Sequence, residues 1–185
     1  MDDAEKSEGL TLRLRPGVPM HLLTCVPSVC ALGICQGLRA DSASEAAVRW
    51  PSDVAMGDAL IRLCSHAGYE DGMYVDLTLS VEGDCPDEER LLESAGSWAS
   101  KSCEEWERRL RAAGTVAGPL APVLEDYFDA LEGSSQQVDV IYPNGRVAAS
   151  GVLCGVDVWG RVTVRLEDGQ EMDLAPEMGR IRPQG

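Results

Sequence analysis

The chain has 185 residues, with 16 basic and 31 acidic side chains and a net charge of −15. This length suits one domain of ordinary size with a small appendage, and a hydrophobic content of 44% excludes a wholly disordered chain. The negative charge repels phosphate backbones and anionic lipids, so we expect neither nucleic acid nor a membrane surface as a partner.

Cysteine and histidine usage bears on metal sites and on the cellular compartment. The seven cysteines include no C-x-x-C pair, and the two histidines, His21 and His66, are far apart in sequence. We therefore predict no metal site and reduced, mostly buried thiols. The acidic N-terminus lacks the basic start of a secretion signal, so the predicted location is the cytoplasm.

The first predicted element is a half-buried strand at Leu10–Arg15, where apolar and polar residues alternate, and it ends at Pro16-Gly17. A long apolar helix follows at roughly 20–39. No charged side chain occurs between Arg15 and Arg39, which is long enough to span a bilayer. Three prolines and several polar residues favour a buried core helix instead.

The middle of the chain is predicted to mix strands and helices. Short strands are expected at Ala46–Trp50 and Met73–Val81, whereas Val54–Cys64 fits either a helix or a strand–turn–strand. The acidic run Glu82–Glu93 is interpreted as a solvated loop. Helices are predicted at about 98–113 and 120–132.

The last fifty residues have a different pattern, which begins after a boundary at Gly133–Ser135. Asn144-Gly145 and Asp168-Gly169 are typical hairpin turns. The strands predicted around them are 138–142, 147–158, 161–166, 170–174 and 178–182. Five short strands with tight turns predict a small SH3-like β-barrel. The expected divisions are a disordered or extended segment at 1–9, an α/β domain at 10–133 and the barrel at 136–185.

Four segments together resemble the biotin protein ligase family. Arg49-Trp50-Pro51-Ser52-Asp53 is similar to its Lys-Trp-Pro-Asn-Asp motif, and Leu10–Pro16 is similar to the strand and turn before its long apolar helix. Gly155–Val162 resembles the family's Gly-Ile-Asp-x-x-Gly-x-Leu hairpin. Asp168-Gly169 and Met178–Arg182 match the family's ending in order and spacing.

The resemblance implies an α/β (α+β) catalytic-type domain of the biotin/lipoate ligase kind, followed by an SH3-like barrel. It also implies a reaction in which ATP and biotin form biotinyl-adenylate, and biotin then passes to a lysine of a carboxyl-carrier protein. ATP with magnesium and biotin are expected as ligands only if that activity is retained, and the fold itself requires no cofactor.

The sequence departs from the family where this chemistry is located. Only nine residues precede Leu10, so the family's Gly-Arg-Gly-Arg-x-Gly loop is expected to be missing and the domain truncated. The stretch Gly57–Leu63 has no lysine, whereas the resemblance implies one there that contacts biotin and phosphate; if the stretch is a strand, Leu60 would occupy the place of that lysine. Asp76–Ser80 has neither the glycines nor the asparagine of the family's biotin-pocket strand.

The resemblance implies Arg49, Trp50, Pro51, Ser52 and Asp53 as substrate- or nucleotide-binding residues. Asp53 would hold magnesium or order the nucleotide, or it caps the next segment. Trp50 would line the nucleotide site, or it is a core residue at a strand end.

Arg62 is the candidate catalytic residue, because it shares a strand face with Leu60 and guanidinium binds phosphate. A surface arginine is the alternative. Asp76, Thr78 and Ser80 share a face and form either a polar pocket wall or a solvated sheet surface.

Two functions remain open at this point. The first is a biotin–protein-ligase-like protein with weak or lost activity. The second is a non-catalytic binding or dimerisation module. Expected partners are a second copy of the chain, a protein that covers the truncated sheet, or a biotin carboxyl-carrier protein.

Overall fold

A five-stranded antiparallel sheet forms the first half of the protein. The structure is a computed structural model that describes residues 9–42, 45–114 and 116–184, apart from the side chain of Ser42, so most of the predicted segment 1–9 lies outside it. The strands are β1 (Leu10–Leu14), β2 (Ala47–Arg49), β3 (Asp53–Met56), β4 (Ala59–Tyr69) and β5 (Met73–Glu82), in the order β1-β5-β4-β3-β2.

Helices cover one face of this sheet. They are α1 (Val26–Ser42), which follows a 3-10 turn at Met20–Cys25, then α2 (Glu88–Ala113), and α3 (Leu124–Ala130), which follows a short 3-10 turn at Ala121–Val123. Two glycines of α1 allow close packing against α2. A Cβ atom added at Gly33 would lie 2.3 Å from Ser102 Cβ, and one added at Gly37 would lie 2.2 Å from the Trp98 ring.

The core lies between the helices and the inner face of the sheet. Along β5, Val75, Leu77 and Leu79 are buried and alternate with polar residues, as expected for a strand with one covered face. The helix α1 contributes a largely buried apolar surface to the same core. The apolar helical stretch that is long enough to cross a membrane, Met20–Asp41, is therefore mostly buried in the core of this fold.

A second antiparallel sheet contains the last five strands. These are β6 (Gln137–Ile141), β7 (Val147–Val156), β8 (Val162–Leu166), β9 (Glu171–Leu174) and β10 (Arg180–Pro183), in the order β10-β6-β7-β8-β9. Within the described residues β9 and β10 are the two edges and no pairing joins them. The five predicted strands are confirmed, whereas the closed SH3-like barrel stays a prediction.

The interface between the two sheets contains several hydrogen bonds. Trp50 Nε1 donates to the Gly160 carbonyl at 2.8 Å, and the Leu120 amide donates to the Val158 carbonyl at 3.0 Å. The Glu132 amide donates to the Val48 carbonyl at 2.8 Å. Buried residues of both sheets belong to one apolar cluster.

The acidic run was predicted wrongly as a loop. Residues from Glu88 onward form the first turns of α2, in which Leu92, Ala95 and Ala99 are buried. Carboxylates in a first helical turn are favoured by the helix dipole, so Glu88 and Glu89 are compatible with a helix start.

Two further predictions are refined by the structure. The ambiguous stretch Val54–Cys64 is a strand–turn–strand, formed by β3 and the start of β4. The helix predicted from residue 20 has its first six residues in 3-10 form, Met20–Cys25, and the α-helix begins immediately before Pro27, a position that proline tolerates.

Candidate functional site

The face of the first sheet opposite the helices is polar, and we call it the outer face. The strand register places Arg13 beside Asp76 and Asp76 beside His66. In the next rows Thr78 lies between Thr11 and Cys64, and Ser80 lies opposite Arg62. Since side chains alternate between faces along a strand, we define the outer face by the following residues: Thr11, Arg13, Arg49, Asp53, Leu60, Arg62, Cys64, His66, Asp76, Thr78, Ser80 and Glu82.

The turn between β2 and β3 carries the Trp-Pro-Ser-Asp motif. Its tryptophan, Trp50, is only 2% exposed and bonds to Gly160, so it is a core residue that joins the two sheets. The Pro51 carbonyl accepts hydrogen bonds from Ser28 Oγ at 3.0 Å and from the Tyr127 hydroxyl at 2.5 Å. The backbone of this turn is therefore held in place by α1 and α3. The next residue, Ser52, is half-buried.

Asp53 lies at the end of this turn on the outer face. Its Oδ1 accepts the Leu63 amide at 3.1 Å, and its Oδ2 lies 3.4 Å from Arg62 Nη1. Burial raises the pKa of the Asp53 carboxyl, against the opposing effects of the Leu63 amide and the Arg62 cation. The carboxylate is thus used to join β3 to β4.

Arg62, the candidate catalytic residue, lies between two carboxylates. Its Nη1 contacts Asp53, and its Nε lies 2.8 Å from Glu82 Oε1. Two anions beside one guanidinium neutralise its attraction for a further anion such as a phosphate.

The other arginines of this sheet surface are also paired. Arg49 makes a bidentate contact with Glu132, at 2.7 and 3.1 Å, which raises the pKa of its guanidinium. Arg13 makes a bidentate contact with Asp76 at 2.8 Å for each bond, which lowers the pKa of that carboxyl. Arg15, beyond the end of β1, lies 3.6 Å from Glu70.

Leu60 occupies a central position on the outer face. It pairs with Ala55 on one side and with Glu82 on the other, and it is 9% exposed. Leu60 is therefore an apolar side chain that lies beside a carboxylate.

Sequence reasoning did not identify the row formed by Thr11, Thr78 and Cys64. Thr11 Oγ1 and Thr78 Oγ1 are 3.0 Å apart, and the Cys64 thiol is exposed beside them. The alternation Arg62, Cys64, His66 along β4 was the available signal.

The structure therefore brings together some of the predicted site residues. Asp53 and Arg62 are in contact, and Arg49 pairs in register with Asp53. Trp50 is directed into the supporting core, and the Pro51 carbonyl is bonded by Tyr127 and Ser28. Within the described residues no group of three His, Cys, Asp or Glu side chains could hold a metal ion.

The sequence matches no protein-family model and no curated protein. Solved structures do match. The biotin protein ligase from Aquifex aeolicus has a TM-score of 0.64 at 14% identity, over 97% of this chain and 84% of that chain. Its complex with biotin and ATP has a TM-score of 0.64 at 14% identity, over 96% of this chain and 79% of that chain.

A second similar structure is a biotin protein ligase-like protein of unknown function from Silicibacter sp. TM1040. Its TM-score is 0.59 at 20% identity, over 90% of this chain and 77% of that chain. At these identities the similarity establishes the fold. The chain has a mixed α/β fold with two antiparallel sheets, similar to that of biotin protein ligases.

Proposed function

We propose that this chain is a biotin–protein-ligase-like protein in which ATP-dependent biotinylation is weak or lost, and that it serves as a non-catalytic binding or dimerisation module. The second sheet corresponds, in this proposal, to an SH3-like barrel. The location remains cytoplasmic. The observation that supports the proposal is the ion pairing on the outer face, where Arg13, Arg49 and Arg62 each contact a carboxylate.

Adenylate formation explains why this pairing matters. A carboxylate attacks the α-phosphate of ATP, and the negative charge that develops must be stabilised by cations or backbone donors. Removing one such contact typically raises a barrier by roughly 3 kcal/mol. Leu60 supplies no charge, and the Arg62 guanidinium is already shared by Asp53 and Glu82.

Calorimetry with biotin, with and without ATP and magnesium, tests the proposal. We expect no binding with a dissociation constant of about 1 μM or tighter, which corresponds to about −8 kcal/mol. The Aquifex aeolicus ligase, measured under the same conditions, is the positive control. Micromolar binding of biotin, or biotinyl-adenylate detected by mass spectrometry, would establish a ligase instead, with a biotin carboxyl-carrier protein as its substrate.

The variant Leu60→Lys makes the test sharper. If loss of the cation limits the reaction, this variant gains measurable adenylate while wild type shows none. The matched control is Ala55→Lys, which adds the same charge at the neighbouring position in register. Equal gain in both variants would assign the effect to net charge rather than to the position of Leu60.

A further inference from the structure

Large exposed apolar side chains cluster beside the interface between the sheets. Met20 is 67% exposed, Trp159 is 40% exposed and Met178 is 49% exposed. Trp159 and Met178 line the same cleft, of about 550 Å³. His21, which follows Met20, has its ring centroid 6.3 Å from that of Trp159.

A second cavity extends this surface toward the end of α2. It has a volume of about 330 Å³, and His21 lies at its edge beside apolar Val18, Leu22 and Leu110. The His21–Trp159 ring pair therefore connects the two cavities. We call the continuous region the Trp159 surface and define it by Met20, His21, Trp159, Asp173, Glu177 and Met178.

The backbone around Trp159 is held rigidly although its indole is exposed. The Trp159 amide donates to Asp157 Oδ1 at 2.8 Å, and its carbonyl lies 3.5 Å from Cys25 Sγ. The next residue, Gly160, has a φ of +84° and accepts the bond from Trp50. A rigidly held aromatic side chain loses little entropy on binding, and such residues dominate binding energy at protein interfaces.

The charges along the cleft favour a basic partner. Asp173 and Glu177 line it and form no ion pair among the described residues, although the Asp173 carboxylate accepts the Thr163 hydroxyl at 2.7 Å. Arg161 also lines it, but its guanidinium is 2.8 Å from the Asp157 carboxylate. An exposed indole attracts cations through its ring face, and the whole chain carries a charge of −15.

We propose that the Trp159 surface binds a segment of a partner protein in which a large apolar or aromatic side chain lies next to lysine or arginine. The apolar side chain occupies the cleft between Trp159 and Met178, and the basic side chain faces Asp173 and Glu177. The proposal deepens the binding role proposed above and rests on it. None of these residues belongs to the outer face.

Selection from a phage-displayed library of random peptides, with the full chain as bait, tests this inference. We expect a consensus that pairs an aromatic or large aliphatic residue with at least one lysine or arginine. A synthetic peptide of that consensus should bind at least tenfold more weakly to Trp159→Ala. Binding to Glu177→Gln should be weaker and should depend less on salt concentration.

Two further variants keep the result interpretable. Met178→Ala tests the same cleft if Trp159→Ala does not fold, with an expected loss in the same direction. Tyr69→Ala removes an exposed aromatic side chain at the end of β4, away from this cleft, and should bind the peptide like wild type. Absence of a consensus, an acidic consensus, or a peptide insensitive to the Trp159 and Met178 variants would overturn the proposal.

The outcomes separate this inference from the proposed loss of ligation. If the selection fails and biotin does not bind, only the proposed peptide-binding role of the Trp159 surface is contradicted. If the selection succeeds and biotinyl-adenylate forms, only the proposal that ligase activity is weak or lost is contradicted.

Discussion

The hydrogen bond between Trp50 and Gly160 shows how much one side chain contributes to the arrangement of the two sheets. Its donor and acceptor are both buried, and they belong to a β2–β3 turn and a β7–β8 turn that are 110 positions apart in sequence. A buried carbonyl without its donor costs more free energy than the bond itself contributes. The motif tryptophan is thus a structural residue in this chain.

Replacing Trp50 by Phe tests this role. The smaller ring leaves a cavity and the Gly160 carbonyl loses its donor, so we expect the free energy of unfolding to fall by at least about 1–3 kcal/mol. Urea unfolding followed by circular dichroism measures the change. The control is Trp159→Phe, which should stay within about 0.5 kcal/mol of wild type because that indole is partly exposed. Equal effects in the two variants would contradict the prediction.

The buried carboxyl of Asp53 predicts a pH dependence of stability. Its pKa is raised in the folded state, mainly by burial, so the folded protein holds this proton more tightly than the unfolded chain does. The contribution of Asp53 to stability is therefore largest below its ordinary pKa of about 3.9, and it is lost as the pH rises through the folded pKa.

The variant Asp53→Asn should flatten this dependence. The amide oxygen can still accept the Leu63 amide, and no charge remains to be buried. Urea unfolding at several pH values above about 4 should show that the variant loses less stability than wild type as the pH rises. Asp58→Asn, in the exposed β3–β4 turn, removes the same formal charge without relieving burial. A slope that Asp53→Asn leaves unchanged would show that the unfolded chain holds this proton equally well.

At the scale of elements, the contact between α1 and α2 depends on small residues. Ser102 Oγ donates to the Val29 carbonyl at 2.9 Å, and Gly33 lies directly against the same serine. The two helices therefore approach at a distance that leaves no room for a methyl group. Such close packing makes a substitution costly even where it favours the helix locally.

Gly33→Ala tests this packing. Alanine stabilises a helix interior by about 1 kcal/mol relative to glycine, but its Cβ would lie 2.3 Å from Ser102 Cβ. We expect a net loss of about 1–2 kcal/mol in the free energy of unfolding. Gln36→Ala, on an exposed position of the same helix, should be neutral or stabilising. A gain in stability for Gly33→Ala would mean that α2 moves away at little cost.

Elements were predictable where a local pattern determined them. The alternation in Leu10–Arg15 and in Met73–Val81 predicted β1 and β5, and Asn144-Gly145 predicted the first hairpin of the second sheet. The start of α2 was missed because its acidic residues outweighed the helical spacing of the apolar ones. The edge strands of the second sheet were predicted, but their closure depends on contacts that no local pattern encodes.

The candidate site was less predictable than the elements. Arg62 and Leu60 could be placed on one strand face from spacing alone. The contacts of Arg62 with Asp53 and Glu82 depend on the register of three strands. The pairing of Arg49 with Glu132 joins residues 83 positions apart, so the sequence contained no local signal for it.

At the scale of the whole molecule, the first sheet has an edge that bears on assembly. Among the described residues β1 pairs only with β5, so its other edge has unpaired backbone groups. Leu10, Leu12 and Leu14 are half-buried along this strand. An open strand edge favours pairing with another chain, while the high net charge opposes unlimited aggregation.

We therefore expect this chain to form a homodimer or a complex with a protein that covers the sheet. Sedimentation equilibrium of the chain at micromolar concentration should give twice the monomer mass if it pairs with itself. A monomer at that concentration would contradict self-association through this edge. Raising the salt concentration should strengthen self-association, because it screens the repulsion between two chains of charge −15.

The exposed thiol of Cys64 has a consequence for chemical labelling. Within the described residues the other six cysteines are buried or half-buried, so Cys64 is the first site that a bulky alkylating reagent reaches. The attached group would lie between Arg62 and His66 along β4, in the middle of the outer face. A fluorophore placed there would report by its emission on any molecule that approaches this face, and it would leave the Trp159 surface unmodified.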